Sequence, residues 1–175
     1  SESILMRIDA LLRRGLGIAL LALAPLPLAT LLDDFLAAVA NDRSDDVRAM
    51  LARGVDPDTV DANGDSALAI AARAGNVNVV KVLLAGKAKV DPTNRFGDTP
   101  LMLAALNGHL EVAKALRAAG ANVNPKGCTP LSYAATGGHL EWLRWLLTQG
   151  AIVDAPSADG TTPLMMAARE RRYDT

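Results

Sequence analysis

The chain has 175 residues, of which 50% are hydrophobic but only 3% aromatic, so its core must be built from Ala, Leu and Val. Such a composition suits closely packed helices and is poor for a β-sandwich. A net charge of −1 with a pI near 6.1 supplies no basic footprint, which argues against nucleic acid as a partner.

The first element is apolar. Arg13 and Arg14 precede residues 15–32, which carry no charge, and Asp33 and Asp34 close the run. A basic flank followed by a Leu/Ala-rich core has the layout of a secretory signal. The cleavage signal is imperfect: cutting after Ala29 leaves Pro27 where a small residue is wanted, and cutting after Ala24 leaves Pro25 just beyond. Three readings of residues 1–32 therefore stand. They are an export signal, a membrane anchor touching lipid through residues 16–32, or a helix that caps the rest of the chain. Roughly 18 apolar residues barely span a bilayer, and two prolines interrupt them. With the basic end inside, the rest of the chain is expected in a bacterial periplasm or secreted, and otherwise held there at the inner membrane.

From residue 33 onward the sequence repeats. Ser66-Ala67-Leu68, Thr99-Pro100-Leu101, Thr129-Pro130-Leu131 and Thr162-Pro163-Leu164 recur with Leu-to-Leu steps of 33 (68 to 101), 30 (101 to 131) and 33 (131 to 164). That period signals a solenoid, whose units cannot bury their apolar faces alone and must stack. A Gly stands three residues ahead of each Pro position, at Gly64, Gly97, Gly127 and Gly160, and Ala pairs follow at 71–72, 104–105, 134–135 and 167–168.

Each copy spells two helices. Thr99 and Thr129 suit the N-cap, with Pro at the first helical position, where no N–H is needed. Leu101, Ala104 and Ala105 share one face, and small Ala lets a second helix come close. Gly108 or Gly138 is expected to end the first helix in the left-handed conformation. The second helix, for example Leu140–Thr148, is expected to bury Trp142, Leu143, Leu146 and Trp145, before a closing glycine (Gly86, Gly120 or Gly150). The copies run over about 33–60 (degenerate), 61–93, 94–124, 125–155 and a partial 156–175. Arg171 stands where the last copy would place a glycine. Because a stack needs a capped end, the chain is expected to continue or to fray there.

These residues resemble the ankyrin repeat, whose consensus includes Gly-x-Thr-Pro-Leu-His-x-Ala-Ala-x-x-Gly-His. The resemblance covers roughly residues 33–175. It implies an all-α fold, an ankyrin-repeat solenoid of stacked helix-turn-helix units with β-hairpin fingers. It also implies a non-enzymatic module that holds another protein through finger tips and the exposed face of the first helices. Residues carried onto that surface are Asn63, Asp65, Arg73, Arg95, Phe96, Asp98, Leu106, Asn107, Lys126, Thr136, Asp159, Thr161 and Arg169. Phe96 is the expected anchor, with Arg95 and Leu106 completing a patch, because aromatic residues and Arg dominate interface hot spots. The alternative is a membrane-anchored structural or accessory subunit of a larger complex.

Two departures from the family pattern bear on this. Ala69, Met102, Ser132 and Met165 stand where the consensus has His, so the hydrogen bonds of that His are expected to be missing and the turns looser. The 30-residue step clips the finger between the third and fourth copies, which is expected to leave a notch.

Chemistry is sparse. His109 and His139 recur at one place in successive copies, where each is expected to tie the turn between its own two helices rather than to bind metal. Cys128 stands alone, without a recognisable base. Asp33-Asp34 and Asp45-Asp46 read as helix starts. No phosphate loop or Ser-His-Asp pattern is present. The sequence therefore implies no catalytic residues, no metal, no cofactor and no small-molecule substrate.

Overall fold

A computed structural model describes the backbone of residues 28–170 and the side chains of residues 30–170. The apolar segment before Leu28 and the position of Arg171 lie outside the described residues. Within them are nine helices: α1 (Leu28–Ala40), α2 (Ser44–Ala52), α3 (Ala67–Ala74), α4 (Val77–Ala85), α5 (Pro100–Leu106), α6 (Leu110–Ala118), α7 (Pro130–Gly137), α8 (Leu140–Thr148) and α9 (Pro163–Arg169). None is long and apolar enough to cross a membrane.

The helices alternate between two layers. Inner helices α3, α5, α7 and α9 pack in series, outer helices α2, α4 and α6 do the same, and each of α3, α5 and α7 packs on the outer helix next in the chain. Small residues make the inner layer possible: Ala71, Ala72, Ala104, Ala105, Ala134 and Ala135 are buried, with Leu68, Leu101 and Leu131 beside them. The outer layer contributes Val79, Val80, Leu83, Val112, Ala113 and Leu116 to the same core.

Outer helices α6 and α8 stand farther apart than their predecessors. Trp142 and Trp145 occupy the α8 positions that are Val112 and Ala115 in α6, and interaxial distance depends on the size of the side chains at the contact. Trp142 is buried, whereas Trp145 is only partly buried and meets it edge-to-face at 5.6 Å. The expectation that both tryptophans are interior thus holds for Trp142 alone.

Every inner helix from α3 onward is capped by its own sequence. Ser66, Thr99, Thr129 and Thr162 accept from the N–H three residues on, at 3.1, 3.3, 3.2 and 3.3 Å. In two of these turns another side chain supplies a bond at the position of the missing His. The Thr129 N–H donates to Ser132 Oγ at 2.9 Å, and the Thr99 N–H donates to Met102 Sδ at 3.4 Å. Both side chains return the bond that closes a capping box.

The fingers differ from β-hairpins. Among the described residues the only strand pairing outside helices is one isolated antiparallel bridge, Val60–Ser66. Beside the closing backbone bonds of the turns at 61–65 and 94–98, side chains take up further donors: Asp61 Oδ1 accepts from the N–H groups of Asn63 and Asp65, and Asn94 Oδ1 from those of Phe96 and Asp98. Such local side-chain bonds compete with a strand ladder for the same donors.

Candidate functional site

The finger edge is held by a polar ladder that crosses three repeats. Asp65, only 2% exposed, pairs with Arg73 Nη2 at 2.5 Å and accepts from Asn94 Nδ2 at 2.7 Å. Asn94 Nδ2 also donates to Asp98 Oδ2 at 3.2 Å, and the Tyr133 hydroxyl donates to Asp98 Oδ1. Buried polar atoms must be partnered, and here each link in the chain satisfies the next. The expectation that Asp65 faces a partner is therefore corrected: its carboxylate is interior, and it fixes the fingers to one another.

On that support sits an exposed group. Arg95 Nε donates to the Asn63 carbonyl oxygen at 2.8 Å, and Arg95 Nη2 donates to that of Ala62, which clasps the preceding finger. The Phe96 N–H is bound by Asn94 Oδ1 at 2.9 Å, yet the Phe96 side chain is 75% exposed. Asn63, Arg95 and Phe96 are thus brought together. Leu106 is not: it closes α5 about 9 Å along the helix axis from Pro100, counting 1.5 Å per residue, and so away from the finger end.

The other expected surface residues are bonded locally. Asn107 Nδ2 donates to the Leu103 carbonyl oxygen at 2.8 Å, and Thr136 Oγ1 to that of Ser132 at 2.9 Å. Asp159 is exposed and accepts from Ser157 Oγ at 2.6 Å and from the Thr161 N–H at 3.0 Å. Those bonds, the Ser157 hydroxyl foremost, hold its carboxyl at about 2. Arg169 pairs with Glu170 at 3.5 Å, and Lys126 is exposed.

In the clipped finger, one residue stands in the place of two. Asp58 and Asp91 accept from the N–H groups of Lys89 and Asn122 in the following repeat, at 2.8 and 3.0 Å. Asn124 has the same role, accepting from the Ile152 N–H at 2.9 Å and donating to the Gly150 carbonyl oxygen at 2.8 Å. Yet Asn124 also lies three residues before Gly127, the place of Asp61 and Asn94 before Gly64 and Gly97. Committed to the next repeat, it leaves the turn at 124–128 without a closing backbone bond.

The histidines join repeats rather than tying the turns between their own helices. His109 Nε2 lies 3.1 Å from the Arg73 carbonyl oxygen and His139 Nε2 lies 2.9 Å from that of Leu106. Asn76 Nδ2 makes the equivalent bonds to the carbonyls of Val39 and Ala40 at 2.9 and 3.1 Å. Each imidazole is committed to the inner helix before it. No group of three or more His, Cys, Asp or Glu placed to hold a metal ion occurs among the described residues. Burial, then the carboxylates of Asp98 and Asp159, push the Cys128 thiol up, which suppresses the nucleophilic thiolate.

Asn94 and Tyr133 are functional supports that the repeat pattern alone does not single out. Asn94 has a signal, since it precedes Gly97 as Asp61 precedes Gly64. Tyr133 has none, because its partner Asp98 lies 35 residues away.

The family model describing ankyrin repeats in three copies matches residues 35–126 and 119–175. The chain belongs to the ankyrin repeat family. Comparison with curated proteins yields no match. Ankyrin repeats are generally protein–protein interaction modules, and the family is generally non-enzymatic. In this ankyrin chain the stacked inner helices and the ladder beneath the fingers supply the rigid support that such a module requires.

Proposed function

We propose that this ankyrin domain binds a partner protein through the finger edge of its second and third repeats, with Phe96 as the anchor. One observation carries the reading. Phe96 is 75% exposed on a turn whose backbone is pinned by Asn94, beside an Arg95 already clasped to the preceding finger. A rigid aromatic presented at low entropic cost is the residue type that dominates binding hot spots. Asn63 and Arg95 flank it, Lys126 is an exposed residue of the next finger, and Leu106 belongs to a more distant part of the same surface. Photo-crosslinking from a benzoylphenylalanine at position 96, with exposed position 144 on the outer helix α8 as the control, tests this. A protein crosslinked from 96 and not from 144 supports the reading, and no crosslink from 96 in the native host sinks it.

The same proposal extends to location. The basic flank at Arg13–Arg14 and the uncharged run 15–32 favour export, with the repeats in a periplasm or outside the cell. Fractionation with intact-mass measurement decides between a processed periplasmic species and a cytosolic full-length one.

A further inference from the structure

A second surface lies on the outer layer. A groove of about 510 Å³ runs between α2 and α4, lined by Ser44, Arg48, Leu51, Lys81, Val82 and Ala85 among others. Lining positions 44, 48 and 51 on α2 and 78, 81, 82 and 85 on α4 are spaced at helical intervals, so the groove tracks both helices for about two turns. Its lining includes the aliphatic Leu51, Val82 and Ala85 and two cations, Arg48 and Lys81.

The charge on that lining distinguishes this junction from the later ones in the stack. In α6, Lys114 is neutralised by Glu111 at 2.6 Å, and α8 has Glu141 three residues before Arg144. In α4 the corresponding acidic position is Asn78, so Lys81 has no carboxylate one turn before it and forms no ion pair among the described residues. Arg48 is held by Asp45 at 2.9 Å, with both side chains largely exposed, a pairing that contributes little in water. Lys87 comes directly after the groove residue Gly86. The groove therefore joins an aliphatic lining to a cation, Lys81, that has no carboxylate partner among the described residues.

We propose that this groove is a second docking site, which takes an acidic amphipathic helix of another protein. Aliphatic side chains at i, i+3, i+4 and i+7 of that helix rest on Leu51, Val82 and Ala85, and flanking carboxylates meet Lys81 and Arg48. Helix-in-groove recognition has this form. The site does not depend on Phe96, which lies on the finger edge.

Two fluorescein-labelled synthetic peptides of about 15 residues, four helical turns, provide the probe. Both carry Leu at i, i+3, i+4 and i+7, with Glu on the flanks of one and Lys on the flanks of the other. Fluorescence anisotropy with the full chain is expected to show binding of the Glu peptide at least about tenfold tighter than of the Lys peptide, since like charges oppose association. Lys81→Glu is expected to remove or invert that preference, Ala85→Trp to block binding by filling the groove, and Phe96→Ala to leave it unchanged. Circular dichroism confirms that the exposed substitutions leave the fold intact. The proposal is overturned if neither peptide binds or if Lys81→Glu leaves the preference untouched. It is equally overturned if the groove substitutions instead abolish binding to phosphatidylserine vesicles or self-association of the chain.

Discussion

The His139 imidazole fills the space that a Cβ on Gly108 would need. Such a Cβ would stand 2.8 Å from His139 Cε1, and the ring's Nε2 is 2.9 Å from the Leu106 carbonyl oxygen. The glycine thus answers two demands, a left-handed backbone at φ 76° and room for the next repeat's histidine. Gly75 and His109 repeat the arrangement one copy earlier, with a would-be contact of 2.7 Å.

Gly108→Ala is therefore expected to cost about 2–3 kcal/mol, combining left-handed strain with the lost inter-repeat bond. In a His139→Ala background the same substitution should cost about 1 kcal/mol less, because the clash has gone. A double-mutant cycle in urea reads the difference. Additive effects would mean that ring and glycine are not coupled.

Lys87→Gly is expected to stabilise the chain. Elsewhere the left-handed residue after an outer helix is glycine, at Gly54, Gly120 and Gly150, but after α4 it is Lys87 at φ 66°. Gly86 sits one position early, at φ −75°. Relief of the left-handed strain, less the added chain entropy of glycine, leaves a gain of about 0.5–1 kcal/mol. The thermal midpoint of the variant measures it.

The repeat itself is legible in the sequence because its signals are local. Thr99-Pro100, Thr129-Pro130, the Ala pairs and the helix-ending glycines each act within one or two turns, and they locate the helices. The illegible part depends on neighbours a repeat away. Asp65 reads as a solvated finger residue, and only the approach of Asn94 and Arg73 makes it interior. His109 and His139 read as ties for their own turns, although their acceptors lie 36 and 33 residues earlier. Gly86 reads as the closing glycine because the spacing of a left-handed residue can slip by one without disturbing the motif. Phe96 stands out by its residue type on a finger, and its exposure is what the structure adds.

Asp65→Ala should lower stability by about 2–3 kcal/mol, since it leaves Asn94 and Arg73 facing a buried vacancy. Chemical denaturation checks the value. A loss below about 0.5 kcal/mol, the range of ordinary surface substitutions, would mean that the ladder does not fix the fingers.

The ladder also has a pH signature. Burial raises the Tyr133 phenol above its usual 10.0, aided by its hydrogen bond to Asp98 and the charge of that carboxylate. The folded chain keeps this proton where the unfolded chain has lost it, so the contribution is complete below about pH 10 and declines as pH rises further. Thermal midpoints between about pH 8 and pH 11 should fall more steeply for the wild type than for Tyr133→Phe. Parallel curves would exclude the coupling.

The central claim is that Phe96 anchors a partner without supporting the fold, and one comparison tests it most directly. Affinity for the captured partner and thermal midpoint are measured together for wild type and Phe96→Ala. The account predicts a loss of about 2 kcal/mol or more in binding free energy with the midpoint unchanged. An unchanged affinity, or a midpoint that falls with it, would contradict the assignment of the finger edge as the binding surface.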